Sequence, residues 1–79
     1  MSAKELVEYV ARSLVDDPDA VSVESYEEDD GSIVYELSVA EDDVGKIIGR
    51  GGRTVNALRC VLRAFAAKQG RRLLLDVVD

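Results

Sequence analysis

A short glycine-rich segment constrains the possible folds of this chain more than any other part of its sequence. Residues 44–55 contain an apolar pair, Ile47 and Ile48, followed by Gly49–Gly52 and then by a segment with helical apolar spacing. Glycine permits positive φ angles and close approach of two backbone segments. The first N–H groups of a helix lack intrahelical partners and carry partial positive charge. The segment therefore predicts a loop at a helix N-terminus that accepts a phosphate group.

Three basic side chains lie within or beside this loop in the sequence: Lys46, Arg50 and Arg53. They would surround the phosphate seat with positive charge. Other glycine motifs fit poorly, because the chain has no Gly-x-x-x-x-Gly-Lys-Ser/Thr sequence, and a dinucleotide fingerprint starting at Gly49 would require glycine where Thr54 stands. The loop is therefore not predicted to bind a nucleotide cofactor.

Apolar periodicity and turn signals predict six elements along the chain. Ser2 and Glu5 match a capping box, which begins a helix that ends before Pro18. The later elements are two alternating segments that form a β-hairpin, a short helix, a long helix and a final strand: Val21–Tyr26, Ser32–Val39, Lys46–Ile48, Arg53–Lys68 and Arg71–Val78. The acidic run Glu27–Asp30 lies between the first two strands and predicts a solvated turn.

The order of these elements predicts an α+β fold. A strand, two helices and a further strand require a crossover, so the second and third strands should be parallel. The arrangement α-β-β-α-α-β then places three helices on one face of a mixed three-stranded sheet. On the first helix, apolar residues follow at helical spacing at Leu6, Val7, Val10 and Leu14. The predicted core stripe of the long helix is Val55, Leu58, Leu62 and Phe65, with Val61 flanking it.

Together, the loop and the element order resemble a known family. The apolar residues at 44–48, the loop Gly49–Gly52 and Val55 resemble the Val-Ile-Gly-x-x-Gly-x-x-Ile core of the KH domain. The element order is similar to the type II KH domain of bacteria. Length and motif placement resemble the KhpA family of small bacterial RNA-binding proteins. Residues 1–79 are therefore expected to form a single KH domain.

The resemblance implies that the loop clamps the backbone of about four nucleotides of single-stranded RNA. Part of the apolar set would floor a groove under the bases, and the last strand with the basic segment before it would form the other wall. Arg71 and Arg72 have an equally good interpretation as solvated residues at a strand start. The candidate RNA-binding residues are Lys46, Ile47, Ile48, Gly49, Arg50, Gly51, Gly52, Arg53, Arg71 and Arg72. The sequence departs from the family at Gly51, where a basic residue is common, and the neighbouring Arg53 could compensate.

The resemblance also implies association, either of two copies or with a larger KH-containing partner. A row of small residues on the long helix permits either ordinary packing or a self-association surface: Ala57, Cys60, Ala64 and Ala67. Two alternatives to RNA binding remain open at this point. One is a protein-interaction module with degenerate nucleic-acid binding. The other is binding of single-stranded DNA, because contacts to phosphate groups do not distinguish ribose from deoxyribose.

Composition narrows the remaining function classes. The chain has no histidine and one cysteine, which argues against a catalytic triad, an internal disulfide and a cysteine-built zinc site. No enzyme activity, cofactor or metal is expected. Residues 1–43 carry fourteen acidic and two basic side chains, whereas residues 44–79 carry eight basic and two acidic ones. An overall charge of −6 is therefore compatible with a local polyanion site. No segment approaches membrane-spanning length, so a cytoplasmic protein is expected.

Overall fold

A computed structural model of the chain describes residues 1–78. The helices are α1 (Ala3–Leu14), α2 (Val44–Ile48) and α3 (Arg53–Gln69), and the strands are β1 (Ser22–Glu27), β2 (Ile33–Ser38) and β3 (Leu73–Val78). Three short 3-10 turns, which the sequence did not indicate, connect them at Pro18–Ala20, Glu41–Asp43 and Arg50–Gly52. The predicted order of helices and strands is confirmed.

The capping box at the start of α1 is present. The Glu5 amide donates to Ser2 Oγ at 3.1 Å, and the Ser2 amide donates to Glu5 Oε1 at 3.0 Å. The hydrogen bonds from Ser2 lower the pKa of Glu5. These reciprocal bonds satisfy amides that have no partner within the helix, so α1 begins at a defined residue.

The sheet has the order β1-β2-β3. β1 pairs with β2 antiparallel, and β2 pairs with β3 parallel, as the crossover argument predicted. β1 and β3 are therefore the two edge strands of the sheet. In the pairing of β2 with β3, Tyr35 lies opposite Leu75. One sheet face and all three helices share a single apolar core, which contains Val7, Leu37, Ile47 and Leu62 with almost no exposed surface. The α+β fold class is therefore confirmed.

Helix α1 buries a row of residues that overlaps only in part with the apolar residues noted in the sequence, since Val7 belongs to both and Val10 packs partly buried against the core. Its buried residues are Ala3, Val7 and Ala11, whereas Leu14 is 40% exposed. Two alanines in this row allow the helix backbone to approach the sheet closely. The longer side chains Val10 and Leu14 lie beside this contact and line a groove against α3.

A buried carboxylate joins the end of α1 to the start of α2. Asp43 is 2% exposed, and its two carboxylate oxygens accept hydrogen bonds from the amides of Asp16 and Asp17 at 3.2 and 3.1 Å. The Lys46 ammonium donates to the same carboxylate at 3.2 Å. Desolvation opposes ionisation here, but the two amides and Lys46 outweigh it and hold the pKa of Asp43 below its ordinary value. The carboxylate therefore stabilises the fold in its charged form.

Replacing Asp43 with asparagine is expected to destabilise the protein at neutral pH. The asparagine side chain has one oxygen and one NH₂ group, so it can accept a hydrogen bond from only one of the two backbone amides. The other backbone amide would lose its acceptor. The loss of hydrogen bonds to a charged group should lower the melting temperature by roughly 10 °C. Thermal melting at pH 7 measures this, with the exposed neighbour Asp42→Asn as the control.

The pH dependence checks the charge of Asp43. Because its folded pKa is lowered, its stabilisation is complete above the unfolded pKa of about 3.9 and is lost as the pH falls through the folded pKa. The difference in melting temperature between the wild type and Asp43→Asn should therefore shrink below about pH 4. Equal melting temperatures at pH 7 would contradict the role of the carboxylate.

Candidate nucleic-acid interface

The loop between α2 and α3 is a tight turn built on three glycines with positive φ. The Gly49 amide closes α2 by donating to the Gly45 carbonyl at 2.9 Å, and Gly49 itself leaves the helix at φ 76°. The Gly52 amide then donates back to the Gly49 carbonyl at 3.1 Å. Gly51 and Gly52 have φ angles of 63° and 82°. Residues with side chains rarely adopt these conformations, so the glycines determine the shape of the turn.

Gly49 also brings two backbone segments together. A Cβ atom at this position would lie 2.9 Å from the amide nitrogen of Thr54 and would also collide with the Thr54 side chain. At Gly51 a Cβ would meet nothing within 4 Å. The loop therefore requires glycine at position 49 for both conformation and space, whereas position 51 requires it for conformation alone.

The N-terminus of α3 faces this loop without a side-chain cap. Gly52 occupies the capping position, and no side chain accepts a hydrogen bond from the first turn. The Arg53 amide donates to the Arg50 carbonyl, which completes the turn. The first turn of α3 thus has partial positive charge beside an exposed glycine loop, and this arrangement favours a phosphate.

Arg50 and Arg53 supply the positive charge at this end of the molecule. Both side chains are exposed, and neither forms an ion pair within residues 1–78. Their guanidinium groups are therefore available to an anion that approaches the loop. The structure places these two predicted site residues together, with the glycines between and beside them.

Lys46 is placed differently from the prediction. Its ammonium lies 3.0 Å from a carboxylate oxygen of Asp16 and 3.2 Å from one of Asp43. Hydrogen bonds to Asp16 and then to Asp43 raise its pKa. Lys46 therefore neutralises carboxylates at the start of α2, and the structure does not direct its charge to the loop.

The apolar residues near the loop divide into core and surface. Ile47 has no exposed surface and Val55 is 5% exposed, so both belong to the core. Ile48 is only partly buried, and of these three it is the one that keeps a surface beside the loop. Ile47 therefore supports the site from within, and direct contact with a ligand is possible only for Ile48.

Arg71 and Arg72 lie at the other end of α3. The helix has 17 residues, a length of about 25 Å, and it separates these arginines from the glycine loop. Arg71 pairs with Glu27 at 3.2 Å, and the pKa of Asp30 is lowered by hydrogen bonds from Ser32 and, to a lesser extent, by the charge of Arg72. Both arginines thus face the acidic turn between β1 and β2, and the structure does not bring them to the loop.

Arg59 was missed in the sequence analysis. Its guanidinium Nη2 donates to the Leu75 carbonyl at 3.1 Å, which places the side chain between α3 and the outer edge of β3. Helical spacing puts Arg63 on the same side of α3, one turn further from the loop. The only signal in the sequence was that helical spacing places Arg59 next to the buried residues Val55, Leu58 and Leu62 of α3. That position does not reveal which strand the side chain reaches.

The outer face of the sheet carries negative charge. Glu24, Glu36 and Asp76 occupy matching positions on the three strands, on the side opposite the helices. Partial desolvation, and then the charges of Glu36 and Glu28, raise the pKa of Tyr26 on the same face. An anion is therefore repelled from the open sheet and attracted to the loop.

Among residues 1–78, no group of acidic, histidine or cysteine side chains is arranged to hold a metal ion. None of the helices in the same range combines the length and apolar character needed to cross a membrane.

Replacing Gly49 with alanine is expected to destabilise the loop by more than about 2 kcal/mol, because the new Cβ would meet Thr54 and φ would remain positive. Gly45→Ala is the matched control: it lies in α2, and its Cβ would meet nothing within 4 Å. That change should stabilise the protein by about 0.5–1 kcal/mol. Urea unfolding measures both variants, and equal effects would contradict the assigned loop geometry.

Comparison with known proteins places this arrangement in a family. The family model described as "KhpA/KhpB, KH domain" matches residues 4–77. The protein named RNA-binding protein KhpA from Halalkalibacterium halodurans is 56% identical over 77 residues, covering 96% of this chain and 99% of that relative. The KhpA proteins of Borreliella burgdorferi and Clostridium acetobutylicum are 47% and 44% identical, and each match covers 95% of this chain. These matches cover 90% and 99% of the two relatives, respectively.

Solved structures show the same fold within a larger protein. A crystal structure of Aquifex aeolicus Era bound to GDP and aluminium fluoride matches 95% of this chain with a TM-score of 0.61 and 24% identity, covering 29% of that protein. Era in complex with MgGDPNP and a segment of 16S ribosomal RNA gives the same TM-score, with 28% covered. At this identity the likeness concerns the fold alone. The family match spans nearly the whole described chain, and the chain therefore belongs to the KhpA/KhpB family of non-catalytic KH domains, with the type II fold that its sequence indicated.

Proposed function

We propose that this protein binds single-stranded RNA through the Gly49–Gly52 loop and catalyses no reaction. The observation that carries the proposal is the exposed glycine turn at the uncapped N-terminus of α3, flanked by two exposed arginines. Its relatives are named RNA-binding proteins, which supports RNA as the polyanion. The domain responsible spans residues 1–79, and the bacterial cytoplasm is the proposed location.

The loop holds the RNA backbone in this proposal. Amides of the turn and of the first turn of α3 donate to a phosphate, while Arg50 and Arg53 add charge-assisted hydrogen bonds. Ile48 offers apolar surface next to this seat. This proposal assigns no phosphate contact to Lys46, Arg71 or Arg72, because they are paired with carboxylates or lie at the far end of α3.

In this proposal the bases lie in the groove that the KH resemblance implies, along α3 and the outer edge of β3 in continuation of the loop. Arg59 reaches from α3 to this edge, where it donates to the Leu75 carbonyl. Bases enter such a groove only when they are unstacked and unpaired, so a single strand fits and a duplex does not. The acidic residues Glu24, Glu36 and Asp76 lie on the opposite face of the sheet, so RNA approaches more favourably from the loop side.

Self-association is the second part of the proposal, and a groove between α1 and α3 favours it. This groove has a volume of about 430 Å³, and its lining is apolar except near the loop: Val10, Leu14, Ala57, Leu58 and Val61, with Arg53 and Thr54. Leu14 and Val61 are 40% and 43% exposed, which is high for large aliphatic side chains. A second copy, or a larger KH-containing partner, would cover this surface, and two linked RNA sites would raise the affinity for long RNA.

The double variant Arg50→Asp with Gly51→Asp is expected to weaken binding to a short single-stranded RNA by about 30-fold or more, because two carboxylates would face the phosphate. Fluorescence anisotropy with a labelled oligonucleotide measures the affinity. Gly51 has open space around it, and aspartate tolerates positive φ better than most residues, so the variant should fold with lowered stability, which circular dichroism and melting check.

The matched control is Gly70→Asp with Arg72→Asp. Gly70 also has positive φ (69°) and open space, so both double variants impose the same change of charge and a similar backbone strain. The control lies about 25 Å away along α3, beyond the screening length, and should bind RNA nearly as well as the wild type. Equal affinity of both folded variants would contradict the loop assignment. Binding of a single-stranded DNA of the same sequence tests whether the protein distinguishes ribose from deoxyribose.

Val61→Tyr is expected to disrupt self-association, because a bulky polar-tipped side chain would enter the α1/α3 groove. Light scattering should then show a dimer for the wild type and a monomer for the variant. Val78→Tyr is the control, since Val78 is 39% exposed on the opposite side of the sheet. Affinity for long RNA should fall only in Val61→Tyr, while affinity for a short oligonucleotide stays unchanged. A monomeric wild type at high concentration would exclude the homodimer.

A further inference from the structure

One side chain crosses the groove that the proposed function assigns to the bases. Arg59 Nη2 donates to the Leu75 carbonyl at 3.1 Å, and within residues 1–78 this is the only side-chain hydrogen bond between α3 and β3. The Arg59 side chain is otherwise exposed, and it forms no ion pair in this part of the chain. A guanidinium has five N–H donors, so most of them remain available.

The Leu75 carbonyl belongs to the outer edge of the sheet. The Ile33 amide donates to the Arg72 carbonyl at 2.9 Å, so Arg72 directs its backbone groups toward β2. Backbone groups alternate along a strand, and those of Leu75 and Val77 therefore point away from β2. β3 is an edge strand, and a base that enters the groove meets a row of backbone donors and acceptors with Arg59 in front of it.

Arg59 lies close enough to the loop to meet a base of the bound strand. It is seven residues after Gly52, a distance of about 10 Å along α3. The chain reverses at Gly70, so β3 runs back toward the loop and brings Leu75 alongside Arg59. This position falls within the stretch of about four nucleotides that a loop of this kind clamps.

The geometry points to Arg59 as a specificity-determining residue of the RNA groove, an inference that rests on the proposed function. The guanidinium fork matches two adjacent hydrogen-bond acceptors. Guanine presents such a pair at O6 and N7, and cytosine presents one at O2 and N3. On adenine and uracil, a donor stands next to each acceptor on the edges that proteins read. We propose that Arg59 selects guanine or cytosine over adenine and uracil at this position.

A purely structural role for Arg59 would be to cover the edge of β3, because an uncovered edge invites pairing with another chain. That role requires only a donor to the Leu75 carbonyl, which lysine also supplies. Base selection requires the planar fork, which lysine lacks. The two roles therefore separate in Arg59→Lys, a change that preserves the charge.

The experiment measures the affinity of four short RNAs that differ in one base within a uridine background. The wild type should prefer guanine or cytosine by about tenfold over adenine and uracil. In Arg59→Lys the preference should fall to within about twofold, while the salt dependence stays the same because the number of charges is unchanged. Arg63→Lys, one helical turn further along α3, serves as the control and should keep the preference.

Modified bases give a second readout that does not depend on any variant folding. If guanine is preferred, 7-deazaguanine lacks N7 and should bind to the wild type as weakly as adenine. If cytosine is preferred, pyrimidin-2-one lacks the amino group but keeps both acceptors, and should bind as well as cytosine. Opposite results with these bases would overturn the inference.

The outcomes separate the inference from the proposed function. RNA binding without base preference, or a preference that persists in folded Arg59→Lys, would overturn the role of Arg59 and leave the loop assignment standing. No RNA binding by the wild type would overturn the proposed function itself. A preference for guanine or cytosine that disappears only in Arg59→Lys supports the inference.

Discussion

The position of the candidate site depends on one buried carboxylate. Asp43 holds two amides that follow α1 and the ammonium of Lys46, and it directly precedes α2. Because α2 is only five residues long, its orientation cannot come from its own helical hydrogen bonds. The Asp43 contacts and the burial of Ile47 fix it instead. The glycine loop begins where α2 ends, so these same contacts determine where the loop faces.

Charge and shape divide the molecule into two sides. The loop side has exposed arginines and an uncapped helix end, whereas the open sheet face has a row of carboxylates. Several basic side chains do not contribute to the loop side, because Lys46 and Arg71 are paired with acidic residues. A protein with an overall charge of −6 can therefore present a local site for a polyanion, and the distribution of charge matters more than its sum.

Local signals in the sequence predicted most of the fold. The capping box at Ser2, the alternating strands and the glycine turn depend on residues near one another in the chain, and the crossover follows from the order of the elements. The structure contains each of them. The sequence did not reveal contacts between distant residues. The buried role of Asp43 depends on amides 26 and 27 residues away, and the site of Arg59 depends on how α3 lies against β3. Arg71 and Arg72 could not be placed without knowing the direction of α3.

The loop encodes its geometry and its charge at different positions. Gly49 is fixed by the backbone of Thr54, and Gly51 is fixed by its positive φ although open space surrounds it. The Arg50 side chain is exposed and meets neither constraint. A substitution at position 50 can therefore change the charge that the loop presents while the turn keeps its form. A single codon then controls the charge of the loop with little penalty to folding, which makes position 50 a natural point for engineering.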